Sequence, residues 1–347
     1  MWRYFKSSFV ITFLAFAGLG VFFGVTTGRW DVTIEGIFIA FVLAILEVSL
    51  SFDNAIVNAT ILKDMTPLWR RRFLTWGILI AVFGMRLVFP VAIVSVVGSV
   101  SPVEALVLAL RYPDKYAQLM LSTHTQVAAF GGAFLMMVCL KYFYDVEKTS
   151  HWLSAIEKPL VKLGKIASIE IGLTLLSLVI LSYYVEPAVQ LSFLLAGFFG
   201  LLTYIAVDGL SSVLESRGSG LQDAHRASFG MFLYLEVLDA SFSFDGVVGA
   251  FAITHHLVTI MVGLGVGAFF VRSLTIYFVE QETLSQFEFL EHGAFYAIGI
   301  LAAIMLLDPF LHIPEWVTGL AGAVVIGLSL HSSLRAAKTQ KKSGVSH

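Results

Sequence analysis

The chain has 347 residues, of which 58% are hydrophobic and only 13% charged, and its formal net charge is −2. Soluble domains carry roughly 25% charged residues, so this composition excludes an ordinary globular protein and indicates a membrane protein. Near-neutral charge excludes bulk electrostatic binding to nucleic acid, and a single cysteine, Cys139, excludes an internal disulfide or a multi-cysteine metal centre.

A membrane span needs about twenty mostly apolar residues. On that template the sequence predicts an all-α polytopic protein of about ten transmembrane helices, at 7–27, 33–62, 73–100, 122–144, 168–185, 188–213, 229–254, 257–279, 292–308 and 315–335. Arg3 and Lys6 precede the apolar run Phe9–Val25, as in a signal peptide, but no small-residue cleavage site follows. The run therefore reads as an uncleaved first helix. Segment 101–121 is broken by Arg111, Pro113, Asp114 and Lys115, which predicts an interfacial or re-entrant excursion. Lys and Arg gather at 3–6, 63–72, 141–165 and 335–342, and the 214–228 loop adds Arg217 and Arg226. With ten spans these segments and both termini fall on one side, which the positive-inside rule assigns to the cytoplasm.

Two of the predicted spans carry the same acidic heptad. Residues 47–53 read EVSLSFD and residues 239–245 read DASFSFD, both acid-x-Ser-x-Ser-Phe-Asp. A carboxylate at the bilayer centre costs about 2.5–3.5 kcal/mol, so four of them call for partners or a ligand. With the orientation above, the two heptads run in opposite directions, as in inverted-repeat transporters with a site at the repeat interface. Further echoes support a repeat: a Gly nine residues before an embedded Arg (Gly77–Arg86, Gly263–Arg272), and Gly-Ala-Phe opening a third helix at Gly132 and Gly293. The expected organisation is an N-terminal transmembrane helix (1–32), a first three-helix repeat (33–144), and a cytoplasmic segment with two further transmembrane helices (145–228). A second, inverted three-helix repeat (229–308) and a last helix with a basic cytoplasmic tail (309–347) complete it.

At about 100° per residue, acids six positions apart lie about 120° apart around a helix. Glu47, Ser51 and Asn54 share one stripe while Asp53 falls off it; Glu236, Asp239 and Ser243 share another while Asp245 falls off it. Convergence of all four heptad acids predicts a local unwinding near each Ser-Phe-Asp, where Asp53-Asn54 and Asp245-Gly246 tolerate non-helical backbone. The predicted metal ligands are Glu47, Asp53, Asn54, Asp239 and Asp245, supported by Ser51, Ser243, Glu236, Arg86 and Arg272. All-oxygen ligands suit Mn²⁺, Ca²⁺ or Mg²⁺ better than Zn²⁺ or Cu⁺. Glu236 reads equally as a ligand or as a supporting, proton-carrying group. Arg86 and Arg272 keep their charge and require anionic partners within the membrane. No role is assigned to His124, His292 or Cys139.

At the two heptads the chain resembles the TerC-like integral membrane proteins, named for tellurium resistance and grouped with the LysE-type exporters. The matching residues are Glu47-x-x-x-Ser51-Phe52-Asp53-Asn54-Ala55 and Asp239-x-x-x-Ser243-Phe244-Asp245, followed by the apolar run Val247–Thr254. The resemblance covers about two thirds of the chain and implies a multi-pass exporter of the bacterial inner membrane, with manganese the ion most associated. It carries Glu47, Asp53, Asn54, Asp239 and Asp245 over as ion-site residues. The 145–167 segment and the YIAVDGLSSVLE helix depart from that pattern.

The expectation is a divalent-cation exporter, not an enzyme, whose partners are membrane lipid, the metal ion and protons as counter-ion, with room for homo-oligomerisation. Two other readings stand beside it: an intramembrane aspartyl protease using Asp53 and Asp245, and a non-transporting assembly or stress-complex protein.

Overall fold

A computed structural model describes residues 2–215, 221–281, 287–311, 313 and 315–343, without the side chains of 215, 221–223, 244–245, 315–316 and 337–343. Arg217, the side chain of Asp245 and those of the basic tail beyond 336 thus lie outside the described residues. The described residues fold as helices alone. In chain order these are α1 (Trp2–Thr27), α2 (Trp30–Leu50), α3 (Phe52–Leu62), α4 (Pro67–Val97), α5 (Pro102–Arg111), α6 (Pro113–Leu121) and α7 (His124–Phe143). They continue as α8 (Ser154–Leu163), α9 (Ile169–Ser182), α10 (Gln190–Glu215), α11 (Leu221–Ile253), α12 (Leu257–Glu280), α13 (Leu290–Leu311) and α14 (Glu315–Ser343).

Eight of them are long and apolar enough to cross a membrane: α1, α2, α4, α7, α10, α12, α13 and α14. The sequence suggested about ten, and the difference lies in two elements. Helix α9 has 14 residues, about 21 Å at 1.5 Å per residue, which is short of a hydrocarbon core about 30 Å thick. Helix α11 has length to spare at 33 residues but carries Glu236, Asp239 and Asp245. Large apolar side chains such as Phe13, Phe38, Trp76, Val88 and Phe199 face outward, which a soluble protein would not tolerate and lipid favours. The fold is that of a multi-pass all-α membrane protein.

Segment 101–121 forms α5 and α6, of 10 and 9 residues, broken at Tyr112 where Pro113 disfavours helix in the residue before it. A Ser101–Glu104 capping box opens α5, and the backbone N–H of Ser101 holds the Glu104 carboxyl below its ordinary value. Neither helix is long enough to span.

The helices of the two expected three-helix units pack reciprocally. The first helix of each unit lies on the second helix of the other: α2 on α12, and α11 on α4. The third helices, α7 and α13, pack together, and each also touches the first helix of the opposite unit. Glycines make the close approaches. A Cβ on Gly263 would sit 2.7 Å from the Ala40 carbonyl oxygen of α2, and one on Gly77 would sit 2.6 Å from Glu236 Oε1 of α11.

Candidate functional site

Helices α2 and α3 form one kinked rod, broken at Ser51, whose backbone (φ −100°, ψ 17°) leaves helical geometry for a single residue. Its N–H still reaches the Glu47 carbonyl, and its hydroxyl donates to Glu47 Oε1 at 3.2 Å. The predicted break is therefore present in the first heptad, two residues before Asp53. In the second heptad it is not: α11 stays helical from Leu221 to Ile253, through Ser243 and Gly246. The expectation of two matched unwound turns is corrected on this point. Within it the Ser241 hydroxyl donates to the Val237 carbonyl at 2.9 Å.

The stripe Glu47, Ser51, Asn54 and Asn58 faces Asp239 and Ser243 of α11 across a cavity of about 50 Å³, space for a few waters or one partly hydrated ion. Glu47 is buried and paired with Arg86 of α4, whose guanidinium also donates to the Ala81 carbonyl. The geometry of α4 permits this second bond: Ile80–Val88 is π-helical, as is Phe73–Gly77, and the wider turn brings the carbonyl five residues back within reach. Asp239 accepts a hydrogen bond from Asn58 Nδ2 at 2.8 Å. Arg272 of α12 also lines the cavity and makes no ion pair among the described side chains. Around this space Asn54 Oδ1, Asn58 Oδ1, Ser243 Oγ, Arg86 Nε and Arg272 Nε are buried with no hydrogen-bond partner among the described residues.

Asp53 is elsewhere. It is buried, accepts the Asn54 N–H at 2.9 Å, and lines a separate pocket of about 10 Å³ against Thr318, Gly319 and Gly322 of α14. The kink at Ser51 does not turn the chain through the 120° that would bring Asp53 onto the Glu47 stripe, so its placement in one ligand set with Glu47 and Asp239 is corrected. Glu236 abuts Gly77, with Oε1 unpartnered. Among the described residues no three His, Cys, Asp or Glu side chains group as a metal ion would need. Among the described side chains the carboxylates of this cavity are a pair, Glu47 and Asp239, completed by amide and hydroxyl oxygens.

Asn58 is the cavity residue not named among the predicted ligands, though it continues the stripe at i+11 from Glu47. A second buried polar centre had no local signal at all. Glu157 of α8 is fully buried and held by Lys148 Nζ at 3.1 Å, His292 Nε2 at 3.5 Å and the Leu153 N–H at 3.0 Å. The Lys148 ammonium also lies 3.9 Å from the centre of the Tyr142 ring. These contacts pin the 145–168 segment to the ends of α7 and α13. His124 pairs with Asp308 at 3.2 Å.

Fold and cavity together define a multi-pass membrane protein with a polar, carboxylate-bearing cavity enclosed by α2, α3, α4, α11 and α12. The chain belongs to the family described as proteins of unknown function (DUF475), whose family model matches residues 52–340. No curated protein and no solved structure matches the chain.

Proposed function

We propose that the protein transports a divalent cation, Mn²⁺ first among the hard cations, through the cavity between α3 and α11. The observation that carries this reading is the set of unpartnered buried oxygens, Asn54 Oδ1, Asn58 Oδ1 and Ser243 Oγ, arranged beside the carboxylates of Glu47 and Asp239. Buried polar atoms are nearly always satisfied, and an oxygen-only lining of this kind suits a hard cation. The resemblance to TerC-like exporters supports the reading and favours manganese. In it, the Arg86–Glu47 pair is the ion-free arrangement, and cation binding competes with the guanidinium for the carboxylate. Protons are the natural counter-ion because carboxylates bind metal only when deprotonated. On this reading the protein sits in a bacterial inner membrane with both termini in the cytoplasm, an orientation that the basic clusters favour by the positive-inside rule.

The test is intracellular manganese, measured by elemental analysis, in cells with the protein, without it, and with Asp239→Asn. Export predicts that only the wild-type chain lowers the metal content. Equal content in all three sinks the proposal and favours the non-transporting reading, for which the engagement of Glu47 by Arg86 already speaks. A protease dyad finds no support at Asp53, whose pocket is lined by no second carboxylate among the described residues.

A further inference from the structure

Arg272 is a charge without a counter-charge among the described side chains. It lies on α12, an apolar span, and lines the α3–α11 cavity, yet it makes no ion pair there and its Nε is buried with no partner. An ionised side chain at membrane depth is rare and costly unless something pairs with it, so its partner has to be sought in another arrangement of the same cavity.

The first half of the chain shows what that arrangement would be. By the shared heptad and the Gly–Arg spacing of nine, Glu47, Ser51 and Arg86 correspond to Asp239, Ser243 and Arg272. The packing follows the same correspondence: Gly77 of α4 lies against Glu236 of α11, and Gly263 of α12 lies against Ala40 of α2. In the first half the contacts are made. Ser51 donates to Glu47, Arg86 pairs with Glu47, the helix breaks at Ser51, and α4 is π-helical so that Arg86 also reaches the Ala81 carbonyl. In the second half, among the described residues, the same contacts are unmade. The Ser243 hydroxyl is buried without a partner, Arg272 is unpaired, α11 runs on through Ser243, and α12 is a regular α-helix. The counterpart of the Ala81 carbonyl, five residues before Arg272, is that of Gly267, the glycine that lies against Glu47.

The cavity is also one-sided. From Glu47 and Asp239 it extends towards Phe73, Leu74 and Thr275, at the end of α4 that carries Arg70, Arg71 and Arg72. Leu43, about one turn before Glu47, and Leu264, about two turns before Arg272, mark the other direction. There they pack with Val247 and Ile260 in one buried apolar cluster that lines none of the cavity. We propose that Arg272 is the counter-charge of Asp239 in a second state, in which the two halves exchange conformations. In that state α11 kinks at Ser243, Ser243 and Arg272 engage Asp239, and Arg86 releases Glu47. The cavity then closes around Leu74 and opens around Leu264. The inference rests on the reading of the cavity as the transport site and supplies that reading with its two access states, as expected when one repeat rocks against another around a fixed site. Each state keeps one acid paired with arginine and presents the other to the ion.

Cysteine alkylation by a maleimide tests it on the full chain in membranes. The background is Cys139→Ala, which removes the one native cysteine, with a single reporter at a time, Leu74→Cys or Leu264→Cys. Arg86→Gln leaves Arg272 with Asp239 as the pair available, so alkylation at 264 rises by about tenfold or more while that at 74 falls. Arg272→Gln has the opposite effect, keeping 74 reactive and 264 protected. Should Arg86→Gln not fold, Ser51→Ala removes one contact of the first half alone and moves both reporters in the same directions by less. Reporters that rise together in both arginine variants show loosened packing, and reporters unmoved by either show a fixed Arg272; both results overturn the proposal. Reciprocal reporters without manganese export overturn the transport reading alone, and export with reporters that do not move reciprocally overturns the exchange alone.

Discussion

Replacing Arg86 by Gln tests the centre of the site most directly. Arg86 and Glu47 are 3% and 5% exposed, so the change leaves a carboxylate buried without its counter-charge. Breaking a buried pair from one side costs about 3–5 kcal/mol, and losing the Ala81 carbonyl bond adds about 1 kcal/mol. At about 2 °C per kcal/mol for a chain this large, the unfolding midpoint in detergent falls by roughly 8–12 °C. Scans are compared at one fixed rate, because membrane proteins unfold irreversibly under heating. The double variant Arg86→Gln/Glu47→Gln recovers most of that loss, since neither charge then remains. Mn²⁺ rescues the single variant more than it stabilises the wild type, because the guanidinium no longer competes for Glu47; at one hundred times its Kd it contributes about 2.7 kcal/mol. A shift under about 2 °C for Arg86→Gln, or a double variant no better than the single one, refutes the argument.

Asp239→Asn is expected to abolish stabilisation by Mn²⁺ in the same scans, whereas Asp53→Asn retains it, because Asp53 faces α14 and not the cavity. Gly267→Ala would set a Cβ 2.5 Å from Cβ and Cγ of Glu47, against a packed helix that cannot retreat. It should destabilise by about 1–3 kcal/mol and weaken Mn²⁺ binding as well, read by thermal shift. Burial lowers the Lys148 pKa below the ordinary lysine value despite Glu157 nearby. The folded chain therefore releases that proton at lower pH than the unfolded chain, and stability rises with pH between the two values. Unfolding midpoints measured from neutral pH towards the ordinary lysine value should show this gain in the wild type and lack it in Lys148→Met.

The membrane class, the α5–α6 excursion and the Glu47–Ser51–Asn54 stripe were legible in the sequence because each is a local pattern, set by composition, by Pro113 or by helical periodicity. Helical periodicity also warned that Asp53 falls off the stripe; the expectation that the chain would unwind far enough to correct it was wrong. One residue of kink at Ser51 changes direction without adding the rotation needed. The start of α11 was hidden for a different reason: its first turns, LQDAHRAS, are polar, and hydropathy reads only the apolar part from 229 onward. The Glu157 centre joins residues more than 130 positions apart, and nothing in either neighbourhood marks the other.

The asymmetry between the two halves bears on what the cavity does. If the site served only to hold helices together, each acid would be matched by an arginine from its own unit, and one half is built that way, Glu47 with Arg86. The other half is not: Asp239 is held across the unit boundary by Asn58, and Arg272 makes no ion pair among the described side chains. A buried donor or acceptor without a partner costs about 1–3 kcal/mol, and five such atoms border this one cavity. An apolar substitution at Ser243 would remove part of that cost without removing a hydrogen bond to either acid. A fold under selection for stability alone has no reason to keep those atoms there, whereas a site that must release one charge partner and accept another needs oxygens that are not already committed.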